Sequence, residues 1–242
     1  CNVSNIREVV LSVCAYAQMA RSFADFQADR FLSEFAAYHF GKDAEQAAVQ
    51  AYRAHYAAFA EIPDTKIGGG YDTLFGNADI RDVHGFRPCV VLDGVARHKG
   101  LSLLAVLETG ERGEWDEAAL STWRKRMESG LQAFEQAYVL ARNALPLVQP
   151  ERRAFFADNL IVQIEIMLGL YGWVLALIQA VQSDGPKPHA EHALYCMEKL
   201  LGDREKAAWG PWAQWYRGDD KMNLPGARDQ TRALVERLSE HE

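Results

Sequence analysis

His189, His192 and Cys196 fall at i, i+3 and i+7, so on a helix all three could face one way and offer soft ligands to zinc. No fourth ligand is evident. The competing reading is a half-exposed helix whose Cys196 packs inward as a small apolar group. Glu165 stands inside an apolar stretch, where a carboxyl can be held protonated and act as an acid. The alternative is a satisfied internal pair with an Arg or a backbone group. Trp209, Trp212, Trp215 and Tyr216 form the densest aromatic group. Flat rings suit sugars, and Arg217, Asp219, Asp220, Lys221 and Asn223 beside them could bond hydroxyls or a carboxylate. That requires a helix through Gly210-Pro211 to spread the Trp side chains over one surface. The competing reading has the aromatics closing the end of a helical core.

No nucleophile elbow, H-E-x-x-H zinc motif or Walker A loop occurs. Gly68, Gly69 and Gly70 follow no convincing strand, so they read as backbone freedom in a loop rather than a phosphate cradle.

The elements that must hold these residues are helical. The chain has 242 residues, 49% of them hydrophobic, and only 8 Pro, which fits folded, helix-rich protein rather than disorder. Its formal charge of -7, with no basic run, disfavours a nucleic-acid partner. Cys1, Cys14, Cys89 and Cys196 form no C-x-x-C pair and no short disulfide framework. Cytoplasm and periplasm are both compatible with that cysteine usage. The apolar run Leu160–Val181 is long enough to span a bilayer. Gln163, Glu165 and Gln179 interrupt it, however, so a helix buried by other helices is expected instead of a membrane span.

Periodicity at threes and fours dominates. Asn5, with Glu8, reads as the cap of a first helix carrying Val9, Val10, Val13, Ala17 and Ala20 on one side. A second helix begins near Asp25, buries Phe31, Leu32, Phe35, Ala36 and His39, and stops at Gly41. A third starts at Asp43 with Gln46 completing a capping box, and buries Tyr52, Tyr56 and Phe59. Residues 62–87 are rich in Gly and Asp without periodicity, the pattern of a long functional or mobile loop. Helix returns from Pro88 towards Glu108. It returns again from Asp116 to Pro146, with Leu120, Trp123, Met127, Leu131, Phe134, Tyr138 and Leu145 as its stripe. Further helices are expected from Pro150 to Gln182, from Pro188 to Gly202, and after Pro225. The expectation is an all-α bundle of about eight helices with one long irregular loop. In chain order this gives a three-helix unit over 1–61, the loop over 62–87, and a long-helix bundle over 88–242 that is expected to form one continuous helical domain with 1–61.

The order of these features resembles the helical region that follows the catalytic barrel in large glycoside hydrolases, the α-glucuronidases of family 115 above all. Asn2 to Glu8, NVSNIRE, is similar to the segment leaving the last barrel strand in that family. Phe23 to Tyr56 resembles its aromatic-rich helix, F-G stop and capped helix. Glu61 to Thr65, EIPDT, resembles a stretch ending in P-D-T. Glu151 to Leu168 and Trp215 to Asn223 fall where the family has an A-F-Y helix and a Trp-containing, Lys-rich turn. The chain departs from the pattern at Ser4, where the family has glycine, at Asn5, where it has an acid, and after Arg7, where a proline is missing.

The resemblance implies a non-catalytic helical domain that buttresses a barrel outside this chain, with the catalytic acids on the barrel side. It implies carbohydrate and the parent protein's barrel as partners, and a homodimer as a further possibility. No catalytic residue, metal or cofactor is expected here. Asn2 and Asn5 would lie nearest a sugar cleft. Tyr71 and Asp72 in the loop, together with Trp212, Trp215, Tyr216, Lys221 and Asn223, are the other candidate contacts. The opening residues do not read as a signal peptide. Cys1 could be a lipidated cysteine left by signal cleavage, but the expectation adopted is a boundary between domains of a larger protein. Two alternatives stand beside this reading: a free-standing helical binding or adaptor protein, and a small helical metalloenzyme centred on Glu165 or on His189 and His192.

Overall fold

A computed structural model describes residues 10–59, 88–214, 216–217 and 223–240, with side chains described from Ala96 onward in the second stretch. The expected loop over 62–87 lies outside them. Among the described residues there are eight helices and no strand. The helices are α1 (Val10–Arg21), α2 (Ala28–Phe40), α3 (Glu45–Ala58), α4 (Pro88–Thr109) and α5 (Glu117–Ala144), followed by α6 (Pro150–Gln182), α7 (Lys187–Glu205) and α8 (Leu224–Glu240). The protein is an all-α, multi-helix fold. Contacts group Cys1–Ala58 with Ala133–Ile164 in one unit and Phe59–Gln132 with Glu165–Glu242 in a second.

The core of the first unit is aromatic. Phe31, Phe35, Ala36 and Phe40 are the buried residues of α2. Phe40 stacks on Tyr52 of α3 at 6.1 Å and meets Phe156 of α6 edge-on at 4.9 Å. The expected stripe included His39 and omitted Phe40; in the fold His39 is half-buried and Phe40 fully buried. The helix then stops at Gly41, as expected. Its φ of +99° lies in the region L side chains avoid, and a Cβ there would come within 2.9 Å of Gln149. The Gln149 amide donates to the Phe40 carbonyl at 3.1 Å, so the chain end of α2 is tied to the turn before α6.

The start of α3 differs in detail from the expected capping box. A 3-10 turn, Lys42–Ala44, precedes Glu45, and no side-chain cap bond forms at Gly41. The Glu45 carboxylate instead accepts from Ser33 of α2 and from Lys42.

Close approach of helices organises the second unit. Trp173 of α6 is fully buried, and its ring lies over Gly100 of α4, where a Cβ would sit 2.1 Å from Cζ3. Its Nε1–H donates to Thr231 Oγ1 of α8 at 3.0 Å. Tyr171, also fully buried, occupies the space over Gly130 of α5. Gly169 and Gly172 bring α6 against Leu200 and Cys196 of α7. At each of these contacts one helix gives up its side chain so that the other can place a large one, which is how dense interiors are filled.

The helix α5 starts directly after Asp116, where a start was expected, and Asp116 caps it; its Oδ1 accepts from the Ala119 amide at 2.7 Å. Leu120, Trp123, Met127 and Phe134 are buried as the period required. Leu131, Tyr138 and Leu145 are only half-buried, and Gly130, Ala137, Ala141 and Ala144 complete the buried face.

Pro150 to Gln182 is a single helical run of 33 residues, about 50 Å long at the usual rise. It opens with a 3-10 turn, Pro150–Arg152, and contains a π segment, Ala157–Ile161. A widened turn disturbs the regular backbone ladder. Here two side-chain amides supply donors: Asn159 Nδ2 to the Phe155 carbonyl at 2.9 Å, and Gln163 Nε2 to the Asp158 carbonyl at 3.4 Å. Among the described residues α6 is the one helix long and apolar enough to cross a membrane by length and composition. Within the protein 89% of that apolar window is buried.

Candidate functional site

The Trp-rich segment follows the C-terminal end of α7, in the second unit. Trp209 is extended, at φ -137° and ψ 163°, and Gly210 takes φ +56°. That reversal closes a 3-10 turn, Gly210–Trp212, with Pro211 inside it. The turn is held by Trp212 N–H to the Trp209 carbonyl at 3.0 Å and Ala213 N–H to the Gly210 carbonyl at 3.2 Å. A continuous helical surface through Gly210-Pro211 does not form. Trp209 is 49% exposed, whereas Trp212 and Tyr216 are half-buried.

Tyr216 is fixed by stacking. The Arg204 guanidinium of α7 lies 4.7 Å from its ring centroid, and Arg204 itself is only 5% exposed. Tyr216 walls an open pocket of about 300 Å³ with Glu205, Ala213, Gln214 and Arg217. Arg217 donates to Gln214 Oε1 at 3.1 Å across its rim. The pocket offers one anionic, one cationic and one amide side chain around an aromatic wall, an arrangement that can hold a small polar group.

The last turns of α7 also carry a charge network. Lys206 Nζ lies 2.6 Å from Asp203 Oδ1 and 3.4 Å from Glu165 Oε2 of α6. Lys199 Nζ bonds the other Asp203 oxygen at 2.5 Å. Both carboxylate side chains are 7% exposed, so their charges are met where water is scarce. The Asp203 hydrogen bond, helped by the Glu165 charge, raises the Lys206 pKa despite partial burial. For Lys199, burial works against the charged form, and the bond and charge of Asp203 more than offset it. Of the two readings of Glu165, its contact with Lys206 matches the internal pair, with a lysine in place of the expected arginine.

Cys196 packs inward. Its Sγ faces Gly172, where a Cβ would come within 3.0 Å, and burial pushes the thiol up to about 11. His192 Nε2 lies 3.8 Å from Sγ, and the His192 ring stacks on Tyr195. Among the described residues no three His, Cys, Asp or Glu side chains gather as a metal group, so His189, His192 and Cys196 do not converge on one point.

Asn223 has a local task. Its φ is +43°, its Oδ1 accepts from the Gly226 amide at 3.2 Å, and its carbonyl accepts from the Ala227 amide at 3.1 Å. It caps the N-terminus of α8. Of the remaining candidate contacts, Trp212 and Tyr216 belong to the segment just described. Asn2, Asn5, Tyr71, Asp72, Trp215 and Lys221 lie outside the described residues. Sequence reasoning passed over Asp203, Arg204 and Lys206. The signal was present as Lys199, Asp203 and Lys206 at i, i+4 and i+7, one charged stripe running off the C-terminal end of α7.

No family model matches the chain, and no curated protein or solved structure matches it.

Proposed function

We propose that this chain is a non-catalytic helical packing domain that docks through α1 and the turn after it, and that its neighbour is the barrel of a carbohydrate-active hydrolase. One observation supports the docking reading above all. Nine of the twelve residues of α1, VLSVCAYAQMAR, are apolar, yet none is fully buried. Tyr16 is 45% exposed, and Phe23 in the following turn is 80% exposed. A helix that lies on solvent normally turns a charged face outward, and two large apolar side chains left exposed here suit an interaction site. Each Leu, Val or Phe covered on docking contributes roughly 1.5–3 kcal/mol. A polar outer face would have suited the adaptor alternative. The carbohydrate context rests on the resemblance of Asn2–Glu8 and the segments after it.

The residues that invited a catalytic reading have structural partners here. Glu165 meets Lys206, and Cys196 is packed against Gly172 with its thiol held protonated. The pocket beside Tyr216 then serves as a peripheral contact for a polar group, not as a reaction centre.

Co-expression with the polypeptide encoded immediately upstream of Cys1 tests the docking. The wild-type chain is expected to co-purify with it, and a Tyr16→Asp/Phe23→Asp variant to lose it. Because both side chains are exposed, the variant should leave the stability of the chain within about 0.5 kcal/mol. Equal retention of both chains, or an upstream region that encodes no polypeptide, refutes the reading. The purified chain is further expected to release no nitrophenol from aryl glycosides; turnover by it alone would overturn the non-catalytic assignment.

A further inference from the structure

We draw no further inference here: the strongest candidate, the side-chain cluster of Glu165, Asp203, Lys199 and Lys206 where α7 meets α6, is an acidic cluster already neutralised by its own lysines, and no second observation points to a ligand for it.

Discussion

Replacing Gly100 by Ala should destabilise this protein, against the usual rule for a helix interior. On propensity alone the change gains about 1 kcal/mol. The built Cβ, however, falls 2.1 Å from Trp173 Cζ3, 2.3 Å from Cη2 and 2.7 Å from Cε3. Carbon atoms settle at about 3.5–4.0 Å, so the indole or the helix must move by roughly 1.5 Å. Trp173 has no exposed surface and its Nε1–H is held by Thr231, which itself donates to the Ala227 carbonyl at 2.8 Å. Moving the ring therefore costs the overpacking strain, about 1–3 kcal/mol, and about 1 kcal/mol for the buried hydrogen bond. Set against the propensity gain, the net loss is about 1–3 kcal/mol. Gly202→Ala in α7 is the matched control, since nothing lies within 4 Å of its Cβ position; it should be neutral or gain up to about 1 kcal/mol. Urea unfolding followed both by far-ultraviolet circular dichroism and by Trp fluorescence measures the two variants and tests for a single transition. A Gly100→Ala protein as stable as wild type, or more stable, refutes the packing of α4 against α6 through this glycine.

Acid should weaken the first unit through His55, whose burial lowers its pKa from 6.5 to about 4. A depressed histidine leaves stability fully present above about 6.5 and removes it as pH falls towards 4, by about 2 kcal/mol at pH 5. A His55→Leu variant should lose that much less than wild type between pH 7.5 and pH 5.0 in urea midpoints, and parallel losses would contradict the assignment. Lys206→Met should cost about 1–2 kcal/mol, less than a fully buried ion pair, because the lysine side chain is 57% exposed and Asp203 keeps Lys199. The raised Lys206 pKa holds its contribution below the ordinary lysine value and loses it as pH rises through the folded value. The difference between wild type and variant should therefore shrink in unfolding curves taken at rising alkaline pH. Asn223→Ala should cost about 1 kcal/mol for the lost cap, whereas Asn223→Gly, which suits the positive φ, should cost only a few tenths, as read from thermal unfolding.

Local punctuation made most helix boundaries legible. Gly41 stops α2 because only glycine takes its φ without strain, and Asp116 caps α5 because a short carboxylate reaches the amide three residues on. Pro150 opens α6 for the same kind of reason: the first turn needs no amide from it. Such signals act within four residues and survive whatever the rest of the chain does. The buried face of α5 was only half legible. At each period two neighbours competed, Gly130 with Leu131, Ala137 with Tyr138 and Ala144 with Leu145, and the smaller one is buried each time. A scan for large apolar residues selects the other member of each pair.

The same divide runs through the candidate site. The charge spacing that lines up Lys199, Asp203 and Lys206 at the end of α7 was present in the sequence but passed over, and only the fold brings Glu165 to Lys206 from 41 residues away. The indole group was visible as composition, while the backbone at Trp209 and Gly210 decided that it forms a 3-10 turn and not a helical face. The amino-acid sequence by itself determined the helices, the ends set by Gly41, Asp116 and Pro150, and the apolar character of α6, because these follow from backbone sterics and hydrogen bonds within a few residues. Gly202, expected to stop α7, lies inside it, and the helix runs on to Glu205. Tertiary structure alone decided which glycines receive a ring, which acids meet a lysine and which apolar helix is left without a fully buried residue, because burial depends on neighbours distant along the chain.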